Sequence, residues 1–171
     1  RITILGPGLL GGSVGLAARA SGYQVTLWGR NPDRVEAARA LGLDATTDLA
    51  EVVGQADLVV LAVPVGVMPR LSEKVKPHLR AGALITDVGS VKSLPHKMAG
   101  EYELPFIGSH PMAGSEQTGI EAARKDLFNG AACILTNDQG CPDSEVKALG
   151  EFWEDLGCRV SFMTAADHDR A

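Results

Sequence analysis

Several protein classes are excluded by what the sequence has little of. Cysteine occurs three times, at Cys133, Cys141 and Cys158, an odd number spread out with no CxxC pair. Neither a disulfide framework nor a thiolate metal site is expected, and a reduced, cytosolic setting fits. No apolar run approaches the roughly 20 residues of a membrane span, so no membrane partner is expected. The 16 lysines and arginines are scattered among 21 acidic residues, a net charge of -5, which leaves no basic stripe for a nucleic-acid backbone. No G-x-S-x-G nucleophile elbow and no metal-ligand spacing of His, Asp or Glu occurs. Internal repeats, low-complexity tracts and linkers are also missing. With 171 residues and 45% hydrophobic content, the chain suits one core and one domain over residues 1–171.

What is present is alternation. Short β-branched runs at 1–5, 24–28, 58–63, 83–88, 105–108, 132–135 and 159–163 are separated by helical patterns at 9–20, 32–41, 48–54, 66–78, 92–99, 118–127 and 142–156. Continuous apolar strands between helices indicate a mainly parallel sheet covered on both faces, a doubly wound, Rossmann-like α/β fold. The 142–156 helix is the clearest. Pro142 stands at its start, Asp143 and Glu145 in its first turn, Val146, Leu149, Phe152, Trp153 and Leu156 on one face, and Gly157 at its end. The opening "RITILGPGLLGGSVGLAARA" has the outline of a secretory signal, but its glycines and proline suit a strand, turn and helix better. At the far end Thr164 and Asp167 form a capping box with only a few residues after it, so the chain is expected to be a fragment whose next helix leads into a further domain.

"GPGLLG" sets Gly6, Gly8 and Gly11 in G-x-G-x-x-G spacing between a strand and a helix. With Leu9 and Leu10 at the helix entrance, this is a cradle for a dinucleotide pyrophosphate, or otherwise only a tight βα turn. The second strand ends in "WGRN", where an NAD-binding domain offers an acid to the ribose hydroxyls. Arg30 and Asn31 stand there instead. A guanidinium pairs with a 2′-phosphate and gains little from a hydroxyl, so NADP is expected over NAD, the alternative being that Arg30 is a solvated surface charge. Val63 and Pro64, in "AVPV", end another strong strand and either pack on the adenosine half or merely punctuate the strand.

"LPFIGSHP" carries a strand to its carboxyl end and leaves His110 just beyond it, held extended by Pro111, where open α/β sheets bind ligands. Histidine suits a general base near neutral pH. "TDVGSVK" brings Ser90 and Lys92 to the same edge. Ser90 either bonds His110 or caps the next helix; Lys92 is either a pocket cation or a surface charge. Glu116 either contacts the substrate or caps the helix near Thr118. His78, His96 and His168 read as solvated.

Taken together, "GPGLLGGS", "TDVGSVK", "GSHPMAGSEQTGIEAA", "LF" with "ILT", and "ADHD" resemble the prephenate and arogenate dehydrogenase family of tyrosine biosynthesis. The resemblance spans nearly the whole chain. It implies an oxidative decarboxylation in which hydride passes from the ring carbon bearing the 4-hydroxyl to the nicotinamide, carbon dioxide leaves and the ring becomes aromatic. In that reading His110 takes the hydroxyl proton, Ser90 orients His110 and contacts substrate or nicotinamide, Glu116 takes the acidic position beside the site, and Gly6, Gly8 and Gly11 hold the pyrophosphate. The family's helical second domain, which supplies a substrate-clamping arginine and the homodimer contact, has no counterpart here. Two other readings stay open: another NADP-dependent reductase of the hydroxyacid or imine type, and a non-catalytic dinucleotide-sensing module.

Overall fold

In the computed structural model, which describes residues 1–114 and 116–171, five parallel strands form the centre. They are β1 (Ile2–Leu5), β2 (Val25–Trp28), β3 (Asp44–Thr46), β4 (Leu58–Leu61) and β5 (Leu84–Asp87), in the order β3-β2-β1-β4-β5. β1, β4 and β5 are buried at every position, as strands covered on both faces must be. Their side chains alternate between two cores. One packs under α1 (Leu9–Ala20) and α6 (Asp143–Asp155), the other under α3 (Leu49–Gly54), α4 (Met68–Val75) and α5 (Ser93–Glu101). The expected doubly wound architecture is present. β3 was not foreseen: three residues, "DAT", are too few and too polar to show a period.

Beyond β5 the parallel order continues through a single bridge. Phe106 lies alongside Ile85, with the Ile85 N–H donating to the Pro105 carbonyl (2.8 Å) and the Ile107 N–H to the Ile85 carbonyl (3.1 Å). The chain then continues as β6 (Gly108–Pro111), antiparallel to β7 (Ala132–Thr136), which runs parallel to β8 (Arg159–Phe162). His110 therefore belongs to a strand, opposite Ile134, rather than to a loop past a strand end. Pro111 is tolerated there because its neighbour on one side is the end of the ladder.

The helix expected at 118–127 is replaced by a single 3-10 turn, Ile120–Ala122. Gly119 enters it at φ +89, Ile120 is fully buried, and the Arg124 N–H donates to Ser13 Oγ of α1 at 3.1 Å. A Cβ on Gly12 would stand 2.8 Å from Ala123 and 3.0 Å from Ile120, so the segment is pressed onto α1. Tertiary docking overrides the helical propensity of "EAARKDLF". α2 (Pro32–Ala40) is capped by Asn31, and α7 (Ala165–Arg170) by Thr164, whose hydroxyl accepts the Asp167 N–H at 3.1 Å.

α6 supplies the largest single buried side chain. Trp153 is edge-on to Phe152 and Phe128, with ring centres 5.3 and 5.8 Å away, and its indole N–H donates to Ser109 Oγ at 2.9 Å. Replacing Trp153 with Ala should lower unfolding stability by about 3–5 kcal/mol, measured by urea titration, through the cavity and the lost bond.

Candidate active site

The carboxyl ends of β1, β2 and β4 open into a cleft of about 770 Å³. Gly6 and Gly11 shape its floor. Gly6 has φ +130, and a Cβ there would meet the Ala62 carbonyl oxygen at 2.2 Å; a Cβ on Gly11 would meet the Gly6 carbonyl oxygen at 2.0 Å. These two glycines are demanded by the protein itself. Gly8 is different, because a Cβ there meets nothing within 4 Å and would project into open space. α1 starts directly behind it with no side-chain cap and no acid in its first turn, leaving amides and partial positive charge at the cleft. That is the cradle a pyrophosphate fits. Leu9 and Leu10 are half-buried and pack back onto the core.

Arg30, Asn31, Val63 and Pro64 all border this cleft. Asn31 commits its side-chain oxygen to the Asp33 N–H, 2.9 Å away, so it acts first as a cap. Pro64 begins a 3-10 turn, Val65–Val67, that bends the chain away from the opening. Arg34 also faces the cleft and was not foreseen, although "RNPDR" places it one turn past Arg30. Glu121 lies on the same rim: Glu121 and Arg34 flank Gly119.

His110 sits at the carboxyl edge of the parallel sheet, four residues past the Phe106–Ile85 bridge, and is half-buried. Beneath it is a dense polar network. The Ser109 N–H donates to Asp87 Oδ1 at 3.1 Å, and Ser109 Oγ lies 2.7 Å from Thr86 Oγ1. Asp87 Oδ2 accepts the Gly89 N–H at 3.1 Å and pairs with the Lys92 ammonium. Both partners are fully buried. Burial pushes the Asp87 carboxyl up and the Lys92 amine down, and each holds the other's charge against that push. Lys92 is thus neither the pocket cation nor the surface charge expected from the sequence: no face of it is open to a substrate.

Ser90 is exposed and makes no hydrogen bond among the described residues; the cap position of α5 is Lys92, so Ser90 neither holds His110 nor caps the helix. The ring of His110 is instead held by His168. Nδ1 of His110 lies 2.8 Å from His168 Nε2, and His168 Nδ1 lies 2.7 Å from Asp169 Oδ1. His168 is 6% exposed, which corrects its reading as solvated. His96 is corrected as well: it is buried, edge-on to Phe106, with Nε2 2.7 Å from Thr136 Oγ1 and the Gln139 amide against its other side. His78 is exposed, as expected. Glu116 is exposed; with no helix at Thr118 it caps nothing. Ser115, inside the matched "GSHPMAGSEQTG" run, lies outside the described residues.

Burial holds the His110 ring below the ordinary imidazole range, and the nearby His168 and Lys92 add to this while Asp169 opposes it. An imidazole so placed is neutral near pH 7 and able to accept a proton. For Asp169, partial burial acts upward, but the His168 ring and the Ser93 and Lys92 amides outweigh it and keep the carboxyl well below the usual carboxylate range.

Residues 14–162 match the family described as "Prephenate dehydrogenase, nucleotide-binding domain". The chain belongs to this family. Cyclohexadienyl dehydrogenase of Zymomonas mobilis is 36% identical over 175 residues, covering 98% of this chain and 59% of that protein. The Aquifex aeolicus prephenate dehydrogenase structure in complex with hydroxyphenyl propionate and NAD+ superposes with a TM-score of 0.90 at 32% identity, over 98% of this chain and 61% of that one. Synechocystis arogenate dehydrogenase gives 0.94 at 32% identity, over 99% and 61%. The chain therefore spans about three fifths of the length of these relatives. It is a dinucleotide-binding domain of a dehydrogenase family, and no helix among its described residues is long and apolar enough to cross a membrane.

Two imidazoles, His96 buried and His110 half-buried, set a pH dependence. Burial lowers both His96 and His110 from the unfolded value of 6.5, so the unfolded chain binds protons more readily than the native one. Their contribution is fully present above pH 6.5 and is lost as pH falls below it. The melting temperature should drop between pH 7.5 and 5.5, and His96→Gln should flatten that slope in a calorimetric pH series.

Proposed function

We propose that this domain serves an NADP-dependent oxidative decarboxylation of prephenate or arogenate, yielding 4-hydroxyphenylpyruvate or tyrosine. The observation that carries the reading is the His110 ring, neutral near pH 7 and anchored by His168 through one nitrogen only, in a chain of this family. Its second nitrogen, Nε2, is the one that accepts the substrate's 4-hydroxyl proton. NADP, when bound, supplies the oxidised pyridinium that takes up the hydride. Removing the hydroxyl proton makes the ring carbon more electron-rich as hydride leaves, and loss of carbon dioxide with aromatisation drives the reaction. The protein's task is to position and deprotonate. Ser90, exposed past the end of β5, is free to contact substrate or nicotinamide, and the exposed Glu116 would take the acidic position that the family resemblance implies beside the site.

Gly6, Gly8, Gly11 and the α1 amides hold the pyrophosphate, and Val63 and Pro64 border the adenosine side. NADP is preferred because two guanidiniums, Arg30 and Arg34, face the cleft and Arg30 and Asn31, not an acid, follow the end of β2. The family resemblance implies that the further length of these relatives is a helical domain that would complete the substrate pocket, clamp a substrate carboxylate and form a homodimer. These 171 residues alone bind NADP and turn over little or no substrate.

Two measurements test this on the full-length protein assayed with prephenate and arogenate. His110→Asn should lower kcat by about 10²–10⁴ while leaving NADP affinity, read by fluorescence titration, unchanged. Comparable losses in both would remove His110 from the chemistry. Arg30→Ala should raise the Michaelis constant for NADP roughly 10-fold or more and leave that for NAD alone, since it deletes one charge-assisted contact.

A further inference from the structure

We propose that Asp169, acting through His168, fixes which nitrogen of His110 carries its proton, making the two a positioning device for the base. The function assigned to this device rests on the reading of His110 given above; the hydrogen-bond chain behind it does not.

The chain begins at groups that have no choice of role. Asp169 Oδ1 accepts the Lys92 N–H at 2.8 Å and Oδ2 accepts the Ser93 N–H at 2.9 Å, both at the start of α5. Two fixed donors keep the carboxylate an acceptor. His168 Nδ1, 2.7 Å from Oδ1, must therefore present its N–H. In its neutral form the ring has only one N–H, and His168 Nε2 is then a lone pair. That lone pair faces His110 Nδ1 at 2.8 Å, with the two rings at 73°, and His110 must place its proton on Nδ1. His110 Nε2 is left bare. A histidine without constraint prefers the opposite form, with the proton on Nε2, in which that nitrogen cannot accept. The relay thus reverses an intrinsic bias, and it does so from a residue far along the chain. Ser90 takes no part in it. The arrangement has the logic of a triad, in which a carboxylate sets the tautomer of the imidazole that does the work, extended here by one further ring.

Nitrogen NMR of the protein labelled with ¹⁵N at histidine reads the tautomer without any turnover, with the His110 signals assigned by their loss in His110→Asn. In the native protein at pH 8 the His110 Nδ1 signal should fall in the protonated range and Nε2 in the bare range. Asp169→Ala and His168→Phe should each move the Nε2 signal toward the protonated range. The double variant should match His168→Phe, because Asp169 acts only through that ring. A native spectrum with the proton on Nε2, which a charged His168 would impose, overturns the proposal. So does an Asp169→Ala spectrum unchanged at His110, the result if Asp169 is only the cap of α5. Should Asp169→Ala fail to fold for want of that cap, His168→Phe decides alone: a shift toward the protonated range supports the relay and an unchanged signal refutes it. Failure of the full-length protein to oxidise prephenate or arogenate would remove the proposed reaction and leave this spectrum as it stands.

Discussion

The buried pair of Asp87 and Lys92 is the constraint on which the rest of the site depends. A carboxylate and an ammonium with no exposed surface are costly to desolvate, and they are tolerable only because each neutralises the other and Asp87 also receives the Ser109 and Gly89 amides. Those bonds join the end of β5 to β6 and to the loop that enters α5. Without them the chain would have no reason to carry His110 along the sheet edge. Removing either charge alone would strand the other in an apolar interior, so the pair holds the place where parallel order gives way to antiparallel.

The same junction explains why this fold brings a glycine-lined cleft and a half-buried histidine to one edge of the parallel sheet. β1 runs into a glycine loop in which Gly6 and Gly11 are demanded by packing, while a Cβ on Gly8 would meet nothing within 4 Å. After its parallel bridge at Phe106 the chain pairs antiparallel with β7, which sets a histidine into a ladder opposite Ile134, with its ring held by a second histidine. A ring mounted in this way has little freedom to search. The ladder and His168 fix the ring, whereas Glu116 is exposed.

Local patterns were the legible part. α6 could be read from Pro142, two early acids and an apolar face; the dinucleotide loop from three glycines between a strand and a helix; α7 from Thr164 and Asp167. What escaped was decided by distant packing. Lys92 looks like any lysine after a strand, and only the fold shows that Asp87 turns back onto it. His96 and His168 stand among polar neighbours in sequence, yet each is buried by elements far along the chain. The segment at 118–127 has helical composition, but Ile120 and Ala123 are needed against α1, and one docked turn wins over ten residues of propensity. For His168 a hint existed in the adjoining Asp169, since an acid beside a histidine offers a partner for one ring nitrogen.

Asp169 closes the first turn of one helix with both oxygens and holds the ring behind the proposed base with one of them, Oδ1. Such double employment makes this position hard for evolution to edit. A change that relaxed the imidazole would also fray α5, so folding and reactivity would be selected together here, and variation among descendants should accumulate elsewhere on the cleft.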